Sequence, residues 1–233
     1  MTSTRVAVVA GVGPGNGAAI ARRFASAGYK IAGLARGQSA LDALKHEIAA
    51  RGYVCDVSAP DAVAAAFAAI RAELGEVDTL VYNAGGGVFA DVESITPEQF
   101  EAAWRVNALG ALLCAQAVIP AMKAARRGTI VFIGATASRR GGPRSAAFAP
   151  AKAAQRSLAE SMARSLWPQG IHVSLVVVDG VVDLARTRAR MPDKPDSFFI
   201  QPAGVAETVY QLSQQDPSAW SFEVEARPFG EVW

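Results

Sequence analysis

Residues 6–17 read VAVVAGVGPGNG, and this stretch gives the strongest indication of the fold of the chain. Five apolar residues, from Val6 to Ala10, predict a buried strand. The turn that follows carries Gly11, Gly15 and Gly17 in the spacing GxxxGxG, and the helical sequence AAIARRFASAG comes directly after it. A strand, a glycine-rich turn and a helix in this order predict the first unit of an α/β fold.

Units of this kind recur along the chain. The other apolar runs are continuous rather than alternating, which is typical of parallel strands that helices cover on both faces. Strands are predicted at 6–10, 30–35, 53–55, 79–82, 129–133, 172–178 and 219–227, and helices at 16–28, 39–51, 60–73, 97–127, 145–167 and 202–213. The alternation predicts one α/β domain over residues 1–233, a Rossmann-type doubly wound parallel sheet flanked by helices. We expect residues 179–201, the least regular stretch, to form a loop over the strand ends on the substrate side.

Composition excludes several classes of protein. Of the 233 residues, 51% are hydrophobic and 19% are charged, which is typical of a packed chain and not of a disordered one. The net charge of +2 gives no reason to expect a nucleic acid or an anionic membrane as partner. The longest nearly apolar stretch, 108–122, is too short to span a bilayer and contains Gln116 and Pro120. Cys55 and Cys114 lack disulfide-framework or metal-site spacing, so we expect no metal and a reducing, cytoplasmic location.

The glycine-rich turn predicts a dinucleotide site. Glycine lets backbone N–H groups approach a pyrophosphate closely, and the N-terminus of the following helix attracts negative charge. The second strand ends at Arg36, where a site that prefers NAD carries an Asp or Glu for the ribose 2′-hydroxyl. A guanidinium suits a 2′-phosphate, so NADP is favoured over NAD. The alternative for Arg36 is a solvated arginine at a strand end.

Two further motifs follow the third and fourth strands. Asp56 and Val57 end one strand, and Asn83, Ala84 and Gly85 end the next. Open α/β sheets bind ligands at the carboxyl ends of their strands, so these motifs are expected to converge on one crevice. A helix N-cap is the alternative for Asp56, and a simple turn is the alternative for the Asn-Ala-Gly run.

These motifs, with Asn107 in WRVNALGA and Lys152 in FAPAK, resemble the short-chain dehydrogenase/reductase family over nearly the whole chain. The resemblance implies glycines around a pyrophosphate, Arg36 at the adenosine ribose, Asp56 and Val57 at the adenine, and the Asn-Ala-Gly run at the cofactor's centre. The full set that it implies at the cofactor is Gly11, Gly15, Asn16, Gly17, Arg36, Asp56, Val57, Asn83, Ala84, Gly85, Lys152, Gly180 and Val182.

The resemblance also implies a catalytic set of Asn, Ser, Tyr and Lys, with the tyrosine four residues before the lysine. In this chain Phe148 has the tyrosine position, and it projects from the same helix face as Lys152. The serine falls on Ala135 or Thr136, so the corresponding candidates are Asn107, Thr136, Phe148 and Lys152. The family moves a hydride between a nicotinamide and a carbonyl or carbinol carbon while tyrosine handles the proton. Phenylalanine cannot do so, and losing general acid–base catalysis costs about 10² to 10⁴ in rate.

Several groups are candidates to replace the tyrosine. They are a bound water and the side chains of Thr136, Ser138, Ser145, Asp179 and Lys152. Asp179 stands where the family has the proline of Pro-Gly, and its alternatives are a turn residue or an N-cap. Asp183 adds a second carboxylate, and Leu184 occupies the family's threonine position. The basic run Arg139, Arg140 and Arg144 either contacts an anionic substrate or the cofactor's phosphates, or forms a solvated loop.

The sequence thus predicts an NADP-dependent oxidoreductase of a small carbonyl or alcohol substrate with an altered proton donor. The alternative is an NADP-binding protein with little or no catalysis. The resemblance also implies a homodimer or homotetramer through the helix predicted at 97–127 and the helix that carries Lys152. The C-terminal ARPFGEVW, with Phe229, Val232 and Trp233, is expected to add to such an interface.

Overall fold

A computed structural model describes residues 4–230. Its strands are β1 (Val6–Ala10), β2 (Lys30–Ala35), β3 (Ala50–Val54), β4 (Thr79–Tyr82), β5 (Gly128–Ala135), β6 (Ile171–Val178), β7 (Val181–Val182), β8 (Phe199–Ile200) and β9 (Glu223–Ala226). Its α-helices are α1 (Asn16–Ser26), α2 (Gln38–Glu47), α3 (Pro60–Leu74), α4 (Pro97–Trp104), α5 (Gly110–Ala125), α6 (Phe148–Leu166), α7 (Ala185–Arg190) and α8 (Pro202–Ser213).

Seven strands form one parallel sheet in the order β3-β2-β1-β4-β5-β6-β9. Apolar side chains on one face pack against α3, α5 and α6, and those on the other face pack against α1, α2 and α8. Phe67 on α3 and Phe24 on α1 are both fully buried, one on each side. Coverage of both faces explains the continuous apolar runs of the strands. The predicted doubly wound α/β class is confirmed.

The strand order reverses between β1 and β4, which lie side by side although β2 and β3 separate them in the chain. Ala10 pairs with Tyr82, so the residues that follow these two strands, Gly11 and Asn83, are neighbours. A crevice at such a reversal is where open α/β sheets bind ligands.

The helix predicted at 39–51 is wrong at its C-terminus. The helix ends at Glu47, and β3 begins at Ala50, three residues before the predicted strand. Ala50 pairs with Ile31 of β2. This long-range pairing places residues 50 and 51 in a strand, although the local sequence pattern assigns them to the helix.

The helix predicted at 97–127 is not one regular helix. It consists of α4, a π-helical turn over Arg105–Leu109, and α5, which ends at Ala125. The joined segment Pro97–Ala125 is long and apolar enough to cross a membrane by length and composition, although the sequence predicts no span. Its inner side chains, Cys114, Val118 and Met122 among them, pack against the sheet, as in a core helix.

Other predicted boundaries also move. The helix predicted at 145–167 is α6, and the strand predicted at 219–227 shortens to β9. Residues 179–201 are not an irregular loop, because β7 pairs with β8 and α7 lies between them. Phe229 is 94% exposed, whereas Val232 and Trp233 lie outside the described residues.

Candidate functional site

The glycine-rich turn is held against the end of β4. The N–H groups of Gly11 and Val12 donate to the carbonyl of Leu34 at 2.9 and 2.8 Å. Asn83 Nδ2 donates to the carbonyl oxygen of Gly11 at 2.7 Å. Gly11 has φ +95°, and a side chain there would overlap the backbone of Ala84. The glycine is therefore required by its backbone conformation and by the close approach of the Asn-Ala-Gly run.

The N-terminus of α1 closes this turn. A methyl group on Gly17 would overlap the Gly11 carbonyl and lie 3.0 Å from Asn83 Nδ2, so Gly17 also allows a close approach. Asn16 Oδ1 is buried with no hydrogen-bond partner among the described residues. Leu184 covers the turn, because its Cδ2 lies 2.8 Å from the position of a methyl group on Gly15. A ligand that binds at Gly15 therefore contacts the side chain of Leu184.

Arg36 and Asp56 mark the ends of β2 and β3. Both are exposed, and Asp56 Oδ1 accepts hydrogen bonds from Ser58 N and Oγ at 2.9 and 2.7 Å. These bonds lower the pKa of Asp56, and the charges of Arg36 and Arg105 lower it further. The N-cap of α3 is Ala59, so the N-cap alternative for Asp56 is wrong. Val57, the neighbour of Asp56, is buried.

Asn107 lies in the π-helical turn and is fully buried. Its Nδ2 donates to the carbonyls of Gly86 and Ala103 at 2.7 and 2.8 Å. Its Oδ1 has no hydrogen-bond partner in the described part of the chain, and it lies 3.0 Å from the position of a methyl group on Gly85. A buried amide oxygen without a hydrogen bond costs folding free energy, which indicates that Asn107 Oδ1 accepts a hydrogen bond from a bound ligand.

Lys152 lies beside Asn107. Its Nζ donates to the carbonyl of Ile133 at 2.8 Å and to Oε1 of Gln155 at 3.0 Å. The same Nζ is 3.2 Å from the position of a methyl group on Gly85, so Lys152 and Asn107 converge on this glycine. Burial lowers the pKa of Lys152 to about 7, because the ammonium is removed from water without an opposite charge beside it.

Phe148 lies one helical turn before Lys152, as the spacing predicts. The ring centroid is 6.0 Å from Lys152 Nζ and 5.2 Å from the ring centroid of Phe89. A methyl group on Gly87 would lie 3.3 Å from Phe148 Cβ. The phenyl ring therefore sits between the lysine and the loop after β4 and offers no exchangeable proton.

Thr136 and Asp179 form a pair at the ends of β5 and β6. The Thr136 hydroxyl donates to Asp179 Oδ1, and Arg227 donates to Oδ2. Burial raises the pKa of Asp179, but the hydrogen bond from Thr136 and the charges of Arg227 and Arg140 outweigh it, and the pKa is lowered overall. The structure joins Thr136 to Asp179 and not to Phe148 or Lys152.

The two serine candidates have local roles. Ser138 is buried, and its Oγ accepts from the N–H of Ala135 at 3.1 Å. Ser145 Oγ accepts from Gly142 N at 2.7 Å and donates to the Gly142 carbonyl at 3.0 Å. Both hydroxyls stabilise turns, so neither is poised as a proton donor.

The basic run does not act as one surface. Arg139 pairs with Glu223 and Glu225 of β9 while its side chain stays exposed. Arg144 donates to the carbonyl of Phe89 at 3.3 Å. Arg140 is largely exposed, and its guanidinium lies 3.8 Å from the carboxylate of Asp179.

Gly180 and Val182 lie in the segment that leads to α7. Val182 pairs with Ile200 in the small sheet, and Gly180 is partly buried. Asp183 forms an ion pair with Arg188 at 2.7 Å, and this hydrogen bond lowers the pKa of Asp183 to about 2. The carboxylate of Asp183 therefore stabilises the segment around α7.

Sequence reasoning missed Gln155, Leu184 as a cover for Gly15, and Arg227 as the partner of Asp179. Gln155 gives a readable signal, because it is a polar residue on a helix face that, apart from Lys152, buries apolar side chains. The contacts of Leu184 and Arg227 join distant parts of the chain and have no local pattern.

Two grooves lie apart from the glycine-rich turn and from the Lys152–Asn107 pair, although Arg227 lines the second of them. One, of about 630 Å³, lies between α3 and α5, and the other, of about 820 Å³, lies beside α8 and β9. Neither is lined by the glycine-rich turn, Asn107 or Lys152. Among residues 4–230 there is no group of three or more His, Cys, Asp or Glu side chains arranged for a metal ion.

Comparison with known proteins identifies the family. Residues 5–194 match the model described as short chain dehydrogenase. The 3-oxoacyl-(acyl-carrier-protein) reductase MabA of Mycobacterium tuberculosis is 34% identical over 224 residues, 92% of this chain and 87% of that protein. The 2-(R)-hydroxypropyl-CoM dehydrogenase of Xanthobacter autotrophicus is 36% identical over 202 residues, 83% of this chain and 80% of that protein. A solved metagenomic short-chain oxidoreductase in complex with NADP has a TM-score of 0.85 at 34% identity, covering 97% of this chain and 98% of that chain.

The chain therefore belongs to the short-chain dehydrogenase/reductase family of oxidoreductases, which bind nicotinamide dinucleotides.

Proposed function

We propose that the protein is an NADP-dependent oxidoreductase that moves a hydride between the nicotinamide and a small carbonyl or alcohol substrate. One observation carries the proposal: Lys152 Nζ and Asn107 Oδ1 converge on Gly85, and Asn83 of the same run is bonded to the glycine-rich turn. A single ligand that extends along this run would contact both ends of the site. The glycine-rich turn suits a pyrophosphate, and the Lys–Asn pair suits a hydroxyl-bearing ring.

The residues present fit a nicotinamide dinucleotide. Asn16 Oδ1 and Asn107 Oδ1 are buried acceptors without partners in the described chain, one near each end of the expected ligand. Lys152 would hold the nicotinamide ribose, and Arg36 would hold the 2′-phosphate of NADP. The NADP complex of the similar metagenomic oxidoreductase supports this choice. The bound cofactor supplies the hydride, and this chain must supply binding, orientation and the proton.

We assign the proton to Lys152. Ser138 and Ser145 are engaged in turns. Thr136 donates its hydrogen to Asp179, whose pKa is lowered, so this carboxylate is ionised near neutral pH and has no proton to give. Lys152 has a pKa of about 7 and gives up a proton near neutral pH. Thr136 and Asp179 are then the groups that orient the substrate, and the neutral amine of Lys152 accepts the proton in the reverse direction.

We propose a single domain, a cytoplasmic location and a homo-oligomer, as the sequence predicts. The family relatives that act on 3-oxoacyl and 2-hydroxypropyl thio-linked substrates make a carbonyl near a thioester or thioether a reasonable first choice. Two buried free cysteines, Cys55 and Cys114, are consistent with a reducing location.

A turnover assay tests the proposal. NADPH oxidation is followed with a panel of ketones, aldehydes, enones and a 3-oxoacyl thioester. Lys152→Arg keeps the positive charge but does not release its proton near neutral pH, so we expect a fall of about 100-fold or more in kcat. Lys123→Arg, an exchange on an exposed helix position, is the matched control and should leave kcat unchanged. Equal rates in wild type and Lys152→Arg would contradict the assignment.

Phe148 favours a second function, an NADP-binding protein that has lost catalysis. Its ring packs on Phe89 in the place where a tyrosine hydroxyl would be needed. Under this alternative the protein binds NADPH, and no substrate in the panel raises cofactor oxidation above background.

A further inference from the structure

Gln155 is a polar side chain on the buried face of α6, and it is 0% exposed. An amide in such a place is costly unless its oxygen and its nitrogen are both hydrogen-bonded. Both are: Oε1 accepts from Lys152 Nζ at 3.0 Å, and Nε2 donates to the main-chain carbonyl of Asn107 at 3.0 Å. Gln155 therefore joins Lys152 Nζ to the main chain of Asn107, the two residues whose side chains converge on Gly85.

The orientation of the Gln155 amide is fixed by its two partners. A flipped amide would place its NH₂ group against the ammonium of Lys152 and its oxygen against the carbonyl of Asn107, which is two repulsive contacts instead of two hydrogen bonds. The carbonyl of Asn107 thus selects the orientation that presents Oε1 to Lys152. The contact is part of a connected network, which strengthens each bond in it.

Lys152 has few other partners. Its ammonium has three hydrogens, and the described structure gives two of them to Ile133 O and Gln155 Oε1. The groups that face it are neutral: the Ile133 carbonyl from β5, the Asn107 amide from the π-helical turn, the Phe148 ring and Gln155 itself. No charged group of the described chain contributes to its pKa, and Asp179 at the neighbouring strand end pairs with Arg227.

We propose that Gln155 is a positioning residue for Lys152: its oxygen holds one hydrogen of the ammonium, its nitrogen is anchored on Asn107, and the third ammonium hydrogen is left for a bound ligand. That the ligand is the nicotinamide ribose, with a hydroxyl that passes the proton of Lys152 on to the substrate oxygen, rests on the proposed function, whereas the coupling of Gln155 to Lys152 does not. An amide oxygen at hydrogen-bond distance stabilises the ammonium, so its loss lowers the lysine pKa. A carboxylate in its place raises it.

NMR of the full-length protein without nucleotide tests the coupling. The chain contains five lysines, Lys30, Lys45, Lys123, Lys152 and Lys194, so ¹³Cε-labelled lysine gives a readable spectrum, and Lys152→Met assigns the signal. We expect the titration midpoint of Lys152 to fall by about one pH unit in Gln155→Leu and to rise by about one unit in Gln155→Glu. Gln116→Leu, at an exposed position of α5, is the control and should leave the midpoint unchanged.

Opposite shifts support the proposal, because a residue that only fills space would destabilise the fold in both variants without moving the midpoint in opposite directions. Unchanged midpoints, or shifts of the same sign, overturn it. Gln155→Met, which keeps the length of the side chain, replaces Gln155→Leu if that variant does not fold. NADPH titration of wild type is done separately, so a failure to bind nucleotide contradicts the proposed function and leaves the NMR result as the test of Gln155.

Discussion

Lys152 Nζ lies 6.0 Å from the centre of the Phe148 ring, which belongs to the preceding turn of α6. At this distance the phenyl face stabilises a cation weakly, but it provides neither a proton nor a hydrogen-bond acceptor. The pKa of Lys152 is accordingly set by burial, and the ammonium is close to losing its proton at neutral pH.

Removing the buried charge should make stability less dependent on pH. The pKa of Lys152 is about 7 in the folded protein, and that of an unfolded lysine is about 10.4. Between these values the unfolded state binds one more proton, so the free energy of unfolding of the wild type rises with pH, by up to about 1.4 kcal/mol per unit. Lys152→Met lacks this rise, and it should be most stable relative to wild type at and below about pH 7.

Urea unfolding of both proteins between about pH 6 and 10 measures the effect. Lys123→Met removes an exposed lysine and should follow the wild-type curve. A stability difference between Lys152→Met and wild type that is the same at every pH would contradict the lowered pKa of Lys152.

Arg36 should determine the preference for NADP. Its guanidinium is exposed at the end of β2, beside Asp56, where it can pair with a 2′-phosphate. We expect Arg36→Ala to weaken NADPH binding by about tenfold and to leave NADH binding nearly unchanged. Calorimetric titration of both nucleotides measures this, and Arg36→Lys, which keeps the charge, should lose less affinity. The same loss for both nucleotides would show that Arg36 does not read the 2′-phosphate.

Gly110 should be required for the π-helical turn that presents Asn107. A methyl group there would overlap the hydroxyl of Tyr82, which donates to the Val106 carbonyl, and it would lie 2.8 Å from the Val57 carbonyl. We expect Gly110→Ala to lower the free energy of unfolding by about 1–3 kcal/mol. Gly204→Ala, in α8 with no atom within 4 Å of the new methyl group, should instead be neutral or stabilising by up to about 1 kcal/mol. Denaturant unfolding of the two variants gives the comparison, and equal effects would rule out the clash.

Local sequence patterns predict much of this fold. The apolar runs at β1, β2 and β4 have the predicted bounds, because strands buried on both faces carry a continuous signal. The start of β3 is missed, since residues 50–52 form a strand by pairing with β2, whereas the sequence pattern places residues 50 and 51 in a helix. The π-helical turn is likewise invisible in the local pattern, and the carbonyl of Val106 within it accepts a hydrogen bond from Tyr82 of β4, a residue distant in the chain.

The candidate site is predicted in part for the same reason. The motifs around Gly11, Asn83 and Lys152 have fixed spacing relative to strand ends, so the topology brings them together once the fold is known. Arg227, which pairs with Asp179, and Glu223, which pairs with Arg139, lie on or beside β9, and each is more than forty residues from its partner. No spacing rule connects residues so far apart, so the sequence does not show these ion pairs.

The pH dependence of carbonyl reduction by wild type and by Phe148→Tyr, measured with NADPH at saturation, tests whether Lys152 supplies the proton. If Lys152 supplies the proton, the wild-type rate falls as the pH rises through about 7, because the neutral amine cannot donate. Phe148→Tyr restores a hydroxyl one turn before Lys152, so its rate should be higher and should persist to higher pH. If both proteins bind NADPH and neither oxidises it above background with any substrate of the panel, Lys152 is not the proton donor of a reductase and the proposed function is wrong.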